Sequence, residues 1–150
     1  MKGFRVNFFT VGMIMFMFLA VLVVYMNGGI GSVEDNGVSY SELVSSPDEY
    51  KGAEIERTGE VVSLISRENE CAVYIKTVLG KEESLSMSAE YTRNKNNQIE
   101  ALMVVKADPD VYDVFEVGDP VKVHGEFDRV FKHNGLDTPV IKNGTIEMSY

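Results

Sequence analysis

The chain has 150 residues, 45% of them hydrophobic and 25% charged, with one cysteine and a formal net charge of −9. That composition excludes an unfolded polar chain, a disulfide scaffold and a polybasic nucleic-acid binder. The charge is unevenly spread: the first 33 residues hold only Lys2 and Arg5, and the remainder carries 12 basic and 23 acidic groups, a net charge of −11.

Phe8 to Met26 (FFTVGMIMFMFLAVLVVYM) is an uncharged run of 19 residues. As a helix it measures about 28 Å, near the thickness of a bilayer's hydrocarbon core, so residues 8–26 are expected to cross a membrane as a signal anchor. Lys2 and Arg5 precede the run, and Glu34 and Asp35 follow it. This bias predicts a cytoplasmic N-terminus at residues 1–7 and an extracytoplasmic or periplasmic remainder on a single-pass cell-membrane protein. The rival is a cleaved signal peptide, for which Gly29-Ile30-Gly31 supplies small residues, but signal-peptide apolar cores are shorter. Residues 27–38 (NGGIGSVEDNGV) read as a flexible linker.

The outer domain, residues 39–150, opens with two helical turns, each with a serine three positions before a glutamate: Ser39 with Glu42, and Ser46 with Glu49. Ile55 to Ser66 then alternates apolar positions with a change of parity around Thr58-Gly59, which predicts a long strand bent or bulged at Gly59. Cys71 to Leu79 places Cys71, Val73, Ile75, Thr77 and Leu79 on one face and Ala72, Tyr74, Lys76 and Val78 on the other, so Cys71 is expected to be a buried small side chain. Ser84 to Tyr91 shows clean alternation, with Leu85, Met87, Ala89 and Tyr91 against Ser84, Ser86, Ser88 and Glu90, and predicts a strand. Ile99 to Lys106 is a further strand, either in the core or in an inserted arm. Asp108-Pro109 opens a short helix through Val111, Val114 and Phe115, stopped by Gly118-Asp119. The last unit is a hairpin: Val121, Val123, Gly125 and Phe127 alternate with polar residues, the chain turns near His133-Asn134-Gly135, and Thr138 to Met148 returns, with Asn143-Gly144 offering a second bend. The fold class expected is mainly β: an N-terminal transmembrane helix followed by a five- or six-stranded Greek-key barrel of the OB type with short helices.

The segments Tyr50-Lys51-Gly52, Thr58-Gly59-Glu60-Val61 and Val117-Gly118-Asp119-Pro120-Val121-Lys122-Val123-His124-Gly125-Glu126-Phe127 resemble the membrane-anchored bacterial proteins of the tRNA-anticodon-domain-like OB-fold family. The resemblance covers about residues 40 to 148 and implies the barrel while saying little about activity. The layout is also similar to the periplasmic haem chaperone of cytochrome c maturation. Its H-x-x-x-Y motif after the last strand is absent, because no histidine follows His133.

Candidate chemistry is sparse. His124 and His133 are the two histidines, and with no third ligand at fixed spacing they fall short of a metal site. The acids Asp108, Asp110, Asp113, Glu116 and Asp119 lack the glycine of a calcium loop and read as helix capping. No nucleophile elbow, phosphate loop or zinc-protease motif occurs, so a non-enzymatic chain without cofactor is expected. The loop Thr92 to Gln98, with Arg93, Lys95 and Asn96, is a basic spot. Together with Ser84, Ser86 and Ser88, and with Lys132 and His133 at the hairpin turn, it makes the expected ligand-contact set. The acidic balance and the absence of tryptophan argue against nucleic acid. The function expected is thus a membrane-anchored binding or scaffolding module for an envelope protein, peptide or glycan. A haem or metal carrier is the alternative, and oligonucleotide binding stands third.

Overall fold

The computed structural model describes residues 37–87 and 90–150. The anchor expected at 8–26, the linker as far as residue 36, and Ser88 lie outside the described residues. Five strands, β1 (Glu54–Ser66), β2 (Cys71–Val78), β3 (Glu100–Ala107), β4 (Pro120–His133) and β5 (Leu136–Met148), close into a barrel in the order β1-β2-β3-β5-β4. Neighbours are antiparallel except β3 and β5, which run parallel. This is the Greek-key OB arrangement. β3 pairs along its whole length with β2 and on its other side with β5, so it is a central strand and not an inserted arm. Among the described residues no helix is long and apolar enough to cross a membrane.

The interior is built by alternation. Ile55 and Val61 of β1, Val73 and Ile75 of β2, Met103 and Val105 of β3, Val121, Val123 and Phe127 of β4 and Ile141 of β5 form one buried cluster. Cys71 joins them, and burial pushes its thiol up from the ordinary cysteine range, as a small core side chain requires. Three glycines let strands approach where a Cβ would collide. At Gly59 it would meet Ile75 Cγ2 at 2.5 Å and the Lys76 carbonyl at 2.6 Å. At Gly125 it would meet Ile141 Cγ2 at 2.6 Å, and at Gly144 it would meet Val105 Cγ1 at 2.3 Å. The bulge expected at Gly59 sits instead at Val62, where the pairing with β2 steps from Val61 to Ser63. Gly59 is needed for close strand contact.

Helix α1 (Tyr40–Ser45) starts with the expected capping box: the Glu42 N–H donates to the Ser39 hydroxyl at 3.2 Å, and the Ser39 N–H donates to the Glu42 carboxylate at 2.8 Å. The second box does not form at α2 (Pro47–Tyr50). Ser46 also terminates α1, where its N–H donates to the Glu42 carbonyl at 2.9 Å, and its backbone there (φ −136, ψ 56) is not that of a side-chain cap. A 3-10 helix (Pro109–Asp113) links β3 and β4 and delivers Phe115 to the core.

The strand expected over Ser84–Tyr91 is corrected: Lys81–Ser86 is helix α3. Its alternation misled because the face that turns inward carries Ser84, 2% exposed, while Leu85 is 71% exposed. The Ser84 hydroxyl donates to the Leu79 carbonyl at 3.3 Å and accepts from the Ile99 N–H at 3.1 Å, pinning α3 between the end of β2 and the start of β3. Below it Tyr40, Leu79, Ile99 and Ala101 form a second small core.

Arg57 is buried at 4% exposure on the inward side of β1. It donates to the Val38 carbonyl at 3.0 Å and faces the Glu83 carboxylate of α3 at 3.7 Å; Glu83 also accepts from the Ser41 N–H at 3.2 Å. Arg57 and Glu83, with these hydrogen bonds, thus tie α1, α3 and the segment before α1 to the barrel.

Candidate functional site

Strict alternation along β4, with Val121, Val123, Gly125 and Phe127 inward, would send Arg129 and Phe131 into the core as well. A bulge prevents it: the pairing with β5 advances from Phe127↔Ile141 to Arg129↔Val140, leaving Asp128 as the extra residue. Beyond the bulge Val130 packs into the interior, and Phe131 emerges on the outer surface against Ala72, Val104, Val140 and Tyr74. His133 follows two positions later on the same side. Its ring lies 5.4 Å from that of Tyr74, tilted by 50°, and 6.0 Å from that of Phe131, near edge-on. Three rings from two strands therefore share one outer face of the barrel.

Cations surround them. A cleft of about 200 Å³ is floored by Tyr74, Phe131 and Val104 and rimmed by Arg67, Lys106 and Arg129, with Glu70 as its one carboxylate. Lys106 lies 3.2 Å and Arg67 3.9 Å from Glu70, while Arg129 lies 2.8 Å from Asp128. A neighbouring cleft of about 370 Å³ runs from His133 and Asn134 past Lys76 and Leu102 to Tyr91. Its wall is tied by two tyrosines: the Tyr40 hydroxyl donates to the Leu102 carbonyl at 2.7 Å and lies 3.3 Å from the Asp137 carbonyl, to which the Tyr91 hydroxyl donates at 3.3 Å. Burial first, then the neighbouring Tyr91, Asp137 and Glu83, drive the Tyr40 hydroxyl far above the tyrosine range, so it stays a donor.

Glu100 and Asp137 line this second cleft as well, and a further set of acids occupies another face. Glu54, Glu56, Glu126 and Glu147 line the outer side of β1, β4 and β5, where β1 and β4 pair and Lys122 faces Glu147. Glu56 accepts from Lys122 at 2.8 Å and raises its ammonium's pKa. The net charge thus averages an acidic face with an aromatic face edged by cations.

The expected contact residues separate on this frame. Arg93 is tied inward, donating to the Asn97 carbonyl at 3.0 Å and the Ser84 carbonyl at 3.1 Å, so its guanidinium braces the loop. Lys95 and Asn96 are exposed in that loop, and Asn97 there takes a left-handed φ of 61°. Ser84 is buried; Ser86 donates to the Glu83 carbonyl at 2.7 Å and, with Lys132, lines a separate cleft near Met87. Lys132 pairs with Asp137 at 2.8 Å. Of the expected set, only His133 joins the ring cluster. His124 meets Glu54 at 3.1 Å on the acidic face, at the other end of β4 from His133, and no group of three metal-binding side chains occurs among the described residues. Tyr74, Phe131, Arg67, Lys106 and Arg129 were not foreseen; Tyr74 was already assigned to the outward face of its strand.

No family model matches the chain, and no curated protein matches it. The solved structures it is similar to include the small single-stranded DNA-binding protein from Streptomyces coelicolor, at 18% identity over 65% of this chain and 94% of that one, with a TM-score of 0.38. A Plasmodium falciparum SSB in complex with ssDNA shares 14% identity over the same 65% and 94%, with a TM-score of 0.38. The N-terminal domain of the PriB protein from Thermoanaerobacter tencongensis shares 12% over 64% of this chain and 97% of that one, with a TM-score of 0.34. Of the resemblance to the anticodon-domain-like family and to the haem chaperone, the strand order supports the OB architecture alone. Two expectations are corrected at the ring face, since both leaned on the acidic balance of the barrel: the protein, peptide or glycan module as leading function, and the absence of a nucleic-acid partner. The net charge of −11 does not record that Tyr74, Phe131 and His133 share one outer face with Arg67, Lys106 and Arg129 beside them, each cation paired with a carboxylate.

Proposed function

We propose that the barrel is a non-catalytic binding module for single-stranded oligonucleotides. The observation that carries this reading is the juxtaposition of Tyr74, Phe131 and His133 with Arg67, Lys106 and Arg129 on the outer face of β2, β3 and β4. Unpaired bases stack on aromatic rings whatever their sequence, and the cations neutralise the backbone between them. A duplex keeps its base faces covered and has no use for the rings. The wall fixed by Tyr40 and Tyr91 holds the β4–β5 hairpin in place beforehand, so little ordering is needed on binding.

The residue pattern at 8–26 supports placing this module at a membrane, with the barrel on the extracytoplasmic side. Protease accessibility in intact spheroplasts tests that placement; a protected barrel contradicts it. Photocrosslinking of the full-length chain to a thymidine-rich oligonucleotide, followed by peptide mapping, tests the interface. Adducts are expected on Tyr74, Phe131 or His133. Adducts confined to the acidic face around His124, or none, overturn the reading.

A further inference from the structure

Glu70 occupies an unusual place for an acid. It sits in the turn between β1 and β2, held there by the Arg67 N–H donating to its carbonyl at 2.9 Å. Its carboxylate is the only one lining the ring-floored cleft, and it reaches two of that cleft's three cations, Lys106 at 3.2 Å and Arg67 at 3.9 Å. It also lines the adjoining polar cleft, whose charges are mixed (Lys106, Lys142, Asp108 and Asp128), so it stands at the border between the aromatic groove and a polar one. A backbone phosphate seated between Lys106 and Arg67 would need the position that the carboxylate fills.

We infer that Glu70 is a built-in competitor for the nucleic-acid backbone, neutralising Arg67 and Lys106 in the empty groove and yielding them to a phosphate on binding. The inference rests on the oligonucleotide reading and adds what regulates that site. Two consequences follow from its chemistry. Affinity is held below what the cations alone would give, because each binding event exposes a displaced carboxylate to the incoming phosphate. The salt dependence is also shallower than the cation count implies, because Glu70 takes the place of a mobile counterion that would otherwise be released.

The test compares Glu70→Gln with Glu56→Gln in the full-length chain, by anisotropy of a labelled oligothymidylate of about twelve nucleotides. Both changes remove one negative charge, and both free a lysine, but Glu56 belongs to the acidic face. Glu70→Gln is expected to tighten binding about fivefold and to steepen the slope of log K against log salt by about 0.7. Glu56→Gln should do neither, and Glu70→Ala should rank with Glu70→Gln. Equal effects of the two glutamine variants, or weaker binding by both Glu70 variants, overturn the inference. Tyr74→Ala separates the levels. If it weakens binding while the glutamine variants behave alike, only the role of Glu70 falls. If the unmodified chain shows no Tyr74-dependent binding, the oligonucleotide reading falls and takes the inference with it.

Discussion

Tyr74 in β2 and His133 at the end of β4 hold their rings 5.4 Å apart on the outer face of the barrel, although β3 and β5 lie between their strands in the sheet. The contact exists because the bulge at Asp128 turns the end of β4 outward and the long β4–β5 hairpin brings it over β2. It is the feature on which the functional reading turns.

Removing the Tyr74 ring should therefore cost binding and not folding. Tyr74→Ala is expected to weaken oligonucleotide affinity about tenfold, within the range for one base–aromatic stack, and Tyr74→Phe should retain it. Anisotropy gives the affinities, and thermal unfolding shows whether the barrel is intact.

Barrel closure depends on the absence of a side chain at position 59. A Cβ there would lie 2.5 Å from Ile75 Cγ2 and 2.6 Å from the Lys76 carbonyl, and the second of these atoms is backbone and cannot swing aside. Gly59→Ala should destabilise by about 2 kcal/mol, as overpacking does. Urea denaturation reads the shift; an unchanged midpoint would show that β1 and β2 separate freely.

Arg57 and Glu83 meet at 3.7 Å at 4% and 11% side-chain exposure. Glu83→Gln removes one carboxylate from beside the buried guanidinium and should destabilise the fold. The double change Arg57→Met with Glu83→Leu removes both charges and should cost less than the single one. A double mutant less stable than Glu83→Gln would mean that the pair is worth more than its desolvation.

The Glu42 carboxyl is held below its ordinary value of 4.5, first by the Ser39 N–H and then by the Ser39 hydroxyl. A lowered folded-state value stabilises the fold above the unfolded pKa, and that contribution is lost as pH falls through the folded one. Melting temperatures of the wild type and Ser39→Ala should accordingly differ most near pH 7 and draw closer toward about pH 3 without meeting, because the Ser39 hydroxyl caps the Glu42 N–H at any pH. A constant difference would assign the effect to the hydroxyl cap alone.

Much of the barrel was legible residue by residue. Alternation marked β2 and the first half of β4, and Asn134-Gly135, with φ values of 50° and 84°, marked the turn of the last hairpin. Ser84–Tyr91 failed because period-two polarity also fits a short helix when its inward residue is a serine whose hydroxyl serves two backbone groups. The site was less legible than the fold. Phe131 looks like a core residue by parity, and only the bulge turns it out. Lys106 and Arg129 are unremarkable in the chain and become a pair of rims only through the register of three strands. A charge total carries no positions, so −11 hid the face that matters.

The central claim is tested most directly by the salt dependence of oligothymidylate binding to the full-length chain, measured beside Tyr74→Ala. Three rimming cations, two partly neutralised by Glu70 and the third paired with Asp128, predict a slope of log K against log salt between about −1 and −2, with Tyr74→Ala lowering affinity at every salt concentration. Absence of binding at low salt, or binding that neither salt nor the loss of Tyr74 changes, would contradict it.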